Sequence, residues 1–122
     1  MIQQIVSMIV EALLHKKKIR QKEWEDYDHL TRQILGTDTR DLLNTSADEL
    51  IARHADTPDG MEKLELAAVN MLKLAEEVDE NNPLLKSRLR QEGIQLLKYI
   101  QQHSDNYSLQ REFLIGLLET NH

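Results

Sequence analysis

The residues whose types and spacing best suit chemistry are two acids and a histidine, Glu25, Asp26 and His29. Positions three and four apart lie on one face of a helix, so a helix would bring these three side chains together. Such a group is able to hold a zinc ion or to act in general acid/base catalysis. The same spacing also arises by chance in an acidic helix. A solvated helix face is therefore our preferred interpretation, with a metal-binding or acid/base enzyme as the alternative.

Other catalytic signatures are missing from the sequence. It contains no cysteine, which excludes thiolate nucleophiles, disulfides and iron–sulfur clusters. None of its serines occupies a nucleophile elbow, and it has no glycine-rich phosphate-binding loop. We therefore predict a protein that is not an enzyme, with no catalytic residue, no cofactor and no metal ligand.

A group of cations follows the apolar N-terminal stretch and forms a candidate anion-binding segment. Its members are Lys16, Lys17, Lys18, Arg20 and Lys22. Basic amphipathic helices bind anionic lipid or nucleic acid, which makes such binding a second alternative. Five bases against one acid give residues 1–22 a charge of +4, and since the whole chain carries −6, residues 23–122 carry −10. That acidic remainder repels phosphate backbones. We therefore expect no nucleic-acid binding, and we assign the cations to helix-dipole compensation and local pairing.

A second acidic cluster, near residue 78, is placed unfavourably. Its members are Glu76, Glu77, Asp79 and Glu80. The pattern puts this cluster at the C-terminal end of a helix, where negative charge is destabilising. A cation or a basic partner would relieve the repulsion.

Helices must position these residues, because composition and hydrophobic periodicity both favour helix. Hydrophobic residues make up 40% of the 122, and only four glycines and two prolines interrupt them. Apolar side chains recur every three to four positions, without sustained strand alternation. We predict an all-α fold, a helical bundle of about five main helices in one domain over residues 1–122. The predicted helices cover residues 2–19, 20–35, 59–79, 83–103 and 107–120, with a short helix after Ser46.

Residues at the helix ends give the predicted boundaries. Glycine favours the left-handed conformation that follows a helix, and a capping residue with Glu three positions later satisfies the first N–H groups. The signals are Gly36 as a stop, Ser46 with Glu49, Asp59 with Glu62, and Asn82 before Pro83. They divide the chain into N-terminal helices over residues 1–55 and a C-terminal hairpin with a last helix over residues 59–120.

The first predicted helix has more apolar surface than a small domain is expected to cover. Its stripe contains Ile2, Ile5, Val6, Ile9 and Leu13. Aromatic residues at helical spacing in the next helix are typical of core or interface anchors. We therefore predict a non-catalytic protein–protein interaction module that self-associates. The predicted interface residues are Ile2, Ile5, Ile9, Trp24 and Tyr27.

The C-terminal helices carry the rest of the predicted core. The residues expected to point inward include Leu64, Met71, Leu97 and Phe113. Gly93 is unfavourable inside a helix by about 1 kcal/mol relative to Ala. Close packing of a neighbouring helix is the expected reason for its presence.

The order of the motifs resembles that of a known family. The N-terminal half contains Trp24–Tyr27, Ile34–Gly36, Leu42–Leu43 and Ser46–Leu50, and the C-terminal half contains Leu64, Ala67, Ala68 and Met71, then Gly93, Leu97 and Ile100. This layout is similar to a family of small bacterial all-helical proteins of unknown function whose C-terminal half resembles tetratricopeptide repeats. The resemblance implies a tetratricopeptide-like helical hairpin and a protein-binding role, and it carries over no catalytic residue. Positions 68 and 93 are about twice as far apart as in a true repeat, and self-similarity at about 34 residues is missing.

The apolar stretches are too short to suggest a membrane span. None approaches the roughly 20 residues that a span requires, and the cations follow the apolar start, whereas a secretory signal begins with them. We expect a cytoplasmic protein whose partner is another protein or a second copy of itself.

Overall fold

The elements of the fold are helical. The computed structural model describes residues 2–15, 20–37, 40–78, 80–104 and 108–120. Those ranges contain six α-helices, one 3-10 turn and no strand, which confirms the predicted all-α fold. In chain order the elements are α1 (Ile2–Leu14), α2 (Gln21–Leu35), the 3-10 turn (Asp41–Asn44), α3 (Ala47–His54), α4 (Gly60–Glu77), α5 (Pro83–His103) and α6 (Leu109–Thr120).

Most helix boundaries agree with the predicted ones. The helix α5 covers the predicted residues 83–103, and α2 begins one residue later than expected. The helix α1 ends at Leu14, before the predicted residue 19, and the predicted continuation over residues 16–19 lies outside the described residues. The helix α6 begins at Leu109, two residues after its predicted start.

Three of the four predicted end signals work as local chemistry requires. Gly36 has a φ of 80°, and its N–H donates to the carbonyl four residues back at 2.9 Å. Ser46 Oγ accepts a hydrogen bond from the N–H of Glu49 at 3.2 Å. Asn82 Oδ1 accepts from the N–H three residues later at 3.4 Å, with Pro83 at the first helical position.

The fourth signal, the predicted capping pair of Asp59 and Glu62, is wrong. Asp59 has a left-handed backbone with a φ of 59°, and its side chain makes no capping hydrogen bond. The reason is the sharp reversal between α3 and α4. A Cβ on Gly60 would lie 2.2 Å from the carbonyl oxygen of His54 and 2.8 Å from that of Ala55. This close approach, and not a cap, sets the left-handed backbone of Asp59. Asp adopts that conformation more readily than most residues do.

The helix α4 lies at the centre of the fold. It contacts α1, α2, α3, α5 and the 3-10 turn, and every residue from Leu64 to Lys73 is buried. Close helix packing explains Gly93 on α5, as predicted. A Cβ at that position would lie 2.8 Å from the side chain of Leu72 and 3.2 Å from the carbonyl oxygen of Ala68.

Three of the four predicted inward residues are buried and one is not. Leu64, Met71 and Leu97 lie in the core, whereas Phe113 is 63% exposed. The prediction for Phe113 is wrong because α6 turns the neighbouring Leu114 inward, and successive residues of a helix point about 100° apart. When a helix has apolar residues on two sides and neighbouring helices cover one side, the residues of the other side stay exposed.

The C-terminal hairpin consists of α4 and α5, which are joined by residues 78–82. Its likeness to a tetratricopeptide unit stays a prediction. Across the described ranges, no helix combines the length and the apolar character that a membrane crossing requires.

Candidate functional site

The side chains predicted to do chemistry are held in solvent on α2. Glu25, Asp26 and His29 are all exposed, and Glu25 accepts a weak hydrogen bond from Gln21 at 3.4 Å. No group of three or more His, Asp or Glu side chains in the described part of the chain is arranged to hold a metal ion. The solvated-face interpretation fits this arrangement, and the metal-binding alternative gains no support from it.

The predicted basic segment is only partly described. Lys16, Lys17 and Lys18 lie outside the described residues, while Arg20 and Lys22 are exposed. Arg20 Nε donates to Glu23 Oε1 at 2.7 Å. That hydrogen bond and the charge of Glu23 raise the pKa of the Arg20 guanidinium. The pairing of a cation with the acidic helix that follows is the arrangement the sequence favours.

The predicted interface residues lie largely inside the molecule. Ile5, Ile9 and Tyr27 belong to the core, and Ile2 and Trp24 are half-buried against it. The face of α1 that carries Ile5 and Ile9 packs on α4, whereas Met8 on the same helix is 53% exposed. An interface at the predicted residues stays a prediction. The rings of Trp24 and Tyr27 meet edge to face at 6.3 Å, as core anchors do.

Two of the four large apolar residues that are exposed in the described part of the chain lie on α6, and the other two are Met8 on α1 and Leu84 on α5. Leu109 is 78% exposed and Phe113 is 63% exposed. The two residues are four positions apart, so they form one ridge along the helix, which we call the α6 ridge. On the opposite side of the helix, Arg111, Leu114 and Ile115 are buried.

A buried network holds α6 in this orientation. Arg111 Nε donates to Glu65 Oε2 at 2.7 Å, and Arg111 Nη1 donates to Gln101 Oε1 at 2.7 Å. Gln101 Nε2 in turn donates to Glu112 Oε2 at 2.9 Å. The side chains of Arg111 and Glu65 are only 9% and 11% exposed. Rotating α6 to bury Phe113 would break this ion pair, so the ridge stays outside.

A groove lies between α3, α5 and the end of α6, and we call it the α5 groove. Its volume is about 720 Å³. The half-buried or buried residues that form its floor are Ile51, Ile94 and Tyr99, and the exposed residues of its rim are Asp48, Gln91, Gln95, Lys98, Gln102 and Glu119. An apolar floor with a polar rim is the usual composition of a protein interface. Because Glu119 belongs to α6, groove and ridge share that helix.

Two hydrogen-bonded contacts organise the rim of the groove. Gln95 Nε2 donates to Asp48 Oδ1 at 3.1 Å, which links α5 to α3. Lys98 Nζ lies 2.6 Å from Glu119 Oε1, which links α5 to α6. The acids of the rim are therefore partly compensated.

A lysine that sequence reasoning missed relieves the second acidic cluster. Lys73 is buried, and its Nζ lies 2.7 Å from Glu76 Oε2 and 3.8 Å from Glu77 Oε1. The signal was available in the sequence, because the lysine precedes the two acids by three and four positions on one helix. Glu76 and Glu77 thus receive a cation from their own helix, and Glu80 Oε1 lies 3.3 Å from Lys86 Nζ on α5. Asp79 lies outside the described residues.

Comparisons with known proteins give no relative for this chain. It matches no protein-family model, no curated protein and no solved structure. The resemblance to a family of small bacterial helical proteins stays a prediction, and the function has to be inferred from the geometry of the chain itself.

Proposed function

We propose that this protein is a non-catalytic helical interaction protein that self-associates through α6. In this proposal the α6 ridge of one copy enters the α5 groove of a second copy. The observation that supports it is the exposure of Leu109 and Phe113 on one face of the helix. Adjacent large apolar side chains in water mark contact surfaces more often than isolated ones do. We place the protein in the cytoplasm, since a chain without cysteine has no disulfide that would require an oxidising compartment.

A two-fold axis would place the α6 ridge of each copy in the α5 groove of the other. Each copy offers a ridge and a groove that share α6, so the same contact can form twice across the axis. Such a contact closes on itself and gives a dimer, whereas a head-to-tail contact would give rings or filaments. We therefore expect a dimer and no larger species.

The expected dimer is a weak one. The two ridges contribute four partly exposed side chains that add about 5 kcal/mol when buried. Association costs several kcal/mol in lost translational and rotational freedom. The ridges alone therefore do not hold a dimer at micromolar concentrations, and the floors and rims of the two grooves must add several kcal/mol to give a dissociation constant on the order of 100 micromolar.

Size-exclusion chromatography with light scattering tests the proposal directly. The wild-type chain should change from monomer to dimer mass between about 5 and about 300 micromolar. Phe113→Asp should remain a monomer throughout, because a carboxylate would have to enter an apolar groove. A wild-type chain that stays monomeric over the whole range would contradict self-association.

A matched control separates the ridge from exposed apolar residues in general. Leu84 is 84% exposed at the start of α5, and it lies roughly 25 Å along that helix from Gln101, which contacts α6. Leu84→Asp should dimerise as the wild type does. Gln95→Arg should weaken the dimer, because the longer side chain can pair with Asp48 across the groove and fill it. Equal effects of Leu84→Asp and Phe113→Asp would show that the ridge has no special role.

A further inference from the structure

The helix α2 is held on the fold by few buried side chains. Of its fifteen residues, only Tyr27, Thr31 and Leu35 are buried, and its other apolar side chains are half-buried against the core. The shorter helix α1 buries five apolar residues. Among the described helices, α2 packs chiefly on α4, whereas α3, which is about half as long, packs on both α4 and α5. A helix with few buried apolar contacts leaves its neighbours at a low cost in free energy.

One contact between α2 and α4 is polar and incompletely bonded. Asn70 Nδ2 donates to Thr31 Oγ1 at 3.3 Å and to the carbonyl oxygen of Leu66 at 2.8 Å. Asn70 and Thr31 are fully buried, yet Asn70 Oδ1 has no hydrogen-bond partner in the described part of the chain. A buried carbonyl group without a partner destabilises the state that buries it. Because removal of α2 lets water bond this oxygen, the contact favours the docked helix less than an apolar contact would.

A groove at one end of the interface separates the beginning of α2 from the end of α4. Its volume is about 480 Å³. Trp24 and Glu25 on α2 line it together with Leu74 and Glu77 on α4. Because Trp24 is only half-buried there, lifting the first turns of α2 exposes less apolar surface than lifting a fully buried helix would.

We propose that α2 is a lid, which leaves α4 as one cooperative unit while the other helices stay folded. The small number of buried side chains, the incompletely bonded Asn70 and the groove all lower the free energy of this opening relative to that of complete unfolding. The open form uncovers Asn70 and Leu74 on α4 and brings Trp24 into water. It leaves α5 and α6 in place, so the lid does not depend on the proposed dimer.

Hydrogen exchange in low concentrations of urea tests the lid on the wild-type protein. Peptic fragments are analysed by mass spectrometry after exchange at about 2 micromolar, where the proposed dimer is dissociated. Amides of α2 should exchange at least about tenfold faster, relative to their unprotected rates, than those of Leu64–Lys73 on α4. Their exchange should accelerate as urea is raised, because cooperative opening exposes surface, whereas fraying of helix ends exposes almost none. Equal protection of α2 and α4, or exchange of α2 that does not respond to urea, overturns the proposal.

Two variants separate the lid from the rest of the fold. Thr31→Val with Asn70→Leu replaces the polar contact by side chains of the same heavy-atom number and leaves no polar side chain unpaired, so the exchange of α2 should slow about fivefold or more. The matched control is Ile100→Val on α5, which weakens the core where α1, α4 and α6 meet that helix. It should speed the exchange of Leu64–Lys73 about threefold or more and leave that of α2 unchanged.

Either variant is able to contradict the lid. Unchanged exchange of α2 in the double variant would show that the polar contact does not control the opening. Equal acceleration of α2 and α4 in Ile100→Val would show that α2 opens only when the whole chain unfolds. If the double variant does not fold, the wild type and Ile100→Val still decide.

Discussion

Replacing Arg111 by Met should destabilise the fold by several kcal/mol. The substitution leaves the Glu65 carboxylate buried without its counter-charge, and it removes the donor to Gln101. Because the two charged side chains are only 9% and 11% exposed, water cannot take over these interactions. Removing one member of a buried pair costs about 3–5 kcal/mol. For a chain of this length, that loss lowers the midpoint of thermal unfolding by roughly 10–20 °C.

Urea unfolding followed by circular dichroism measures this loss. At about 2 micromolar the expected dimer is dissociated, so the free energy of unfolding refers to the monomer. The double variant Glu65→Met with Arg111→Met should lie within about 1 kcal/mol of the wild type, since nothing charged is left buried. The exposed ion pair of Glu49 with Arg53 on α3 provides the comparison, and Arg53→Met should cost about 0.5 kcal/mol or less. A loss below about 1 kcal/mol for Arg111→Met, or an equal loss in the double variant, would refute the reasoning.

Three further substitutions have effects that unfolding measurements can check. Gly93→Ala should destabilise by about 1–2 kcal/mol, because the 2.8 Å approach to the Leu72 side chain outweighs the gain in helix propensity. Ser46→Ala should cost about 1 kcal/mol, since the first turn of α3 loses its cap. His54→Gln should reduce the acid sensitivity of the protein. Burial, followed by the charges of Lys63 and Arg53, lowers the pKa of His54 below its ordinary value of 6.5. The unfolded chain therefore takes up a proton that the folded chain refuses, and stability decreases as the pH falls below about 6.5.

Each of these substitutions has a control or a contradicting result. Gly116→Ala should stabilise the helix by up to about 1 kcal/mol, because a Cβ there meets nothing within 4 Å. Stabilisation by Gly93→Ala as well would argue against close packing of α5 on α4. An unchanged urea midpoint in Ser46→Ala would mean that its hydrogen bond contributes nothing. Exposed His29 serves for comparison, and His29→Gln should keep the full loss of stability between pH 7 and pH 5. An equally large loss in His54→Gln would remove His54 as its cause.

Local chemistry made the helix ends predictable from the sequence. Gly36, Ser46 and Asn82 each act on atoms within four residues, so their spacing alone identifies them. Gly93 was predictable for a related reason, because an unfavourable residue inside a helix implies close contact with a neighbour. Asp59 was not predictable, since its backbone is set by how closely α3 and α4 approach each other.

The candidate sites were harder to predict, because they depend on which face of each helix is covered. Both α1 and α6 are apolar on more than one side, and periodicity does not say which side meets α4 or α5. Excess apolar surface on α1 suggested an interface, yet Ile5 and Ile9 are buried there, whereas Leu109 and Phe113 are exposed on α6. The pairing of Glu65 with Arg111 joins residues 46 positions apart. The one hint in the sequence was a charged residue inside an otherwise apolar stripe of each helix.

The most direct test of self-association is a nuclear Overhauser measurement between two differently labelled copies. Phe113 is the only phenylalanine of the chain, so its ring signals are unambiguous. In a mixture of carbon-13-labelled and unlabelled protein at about 300 micromolar, isotope-filtered spectra report only contacts between copies. We predict cross-peaks from the Phe113 ring of one copy to the Ile51 and Ile94 methyl groups of the other. A spectrum without such cross-peaks at that concentration would contradict the proposed contact.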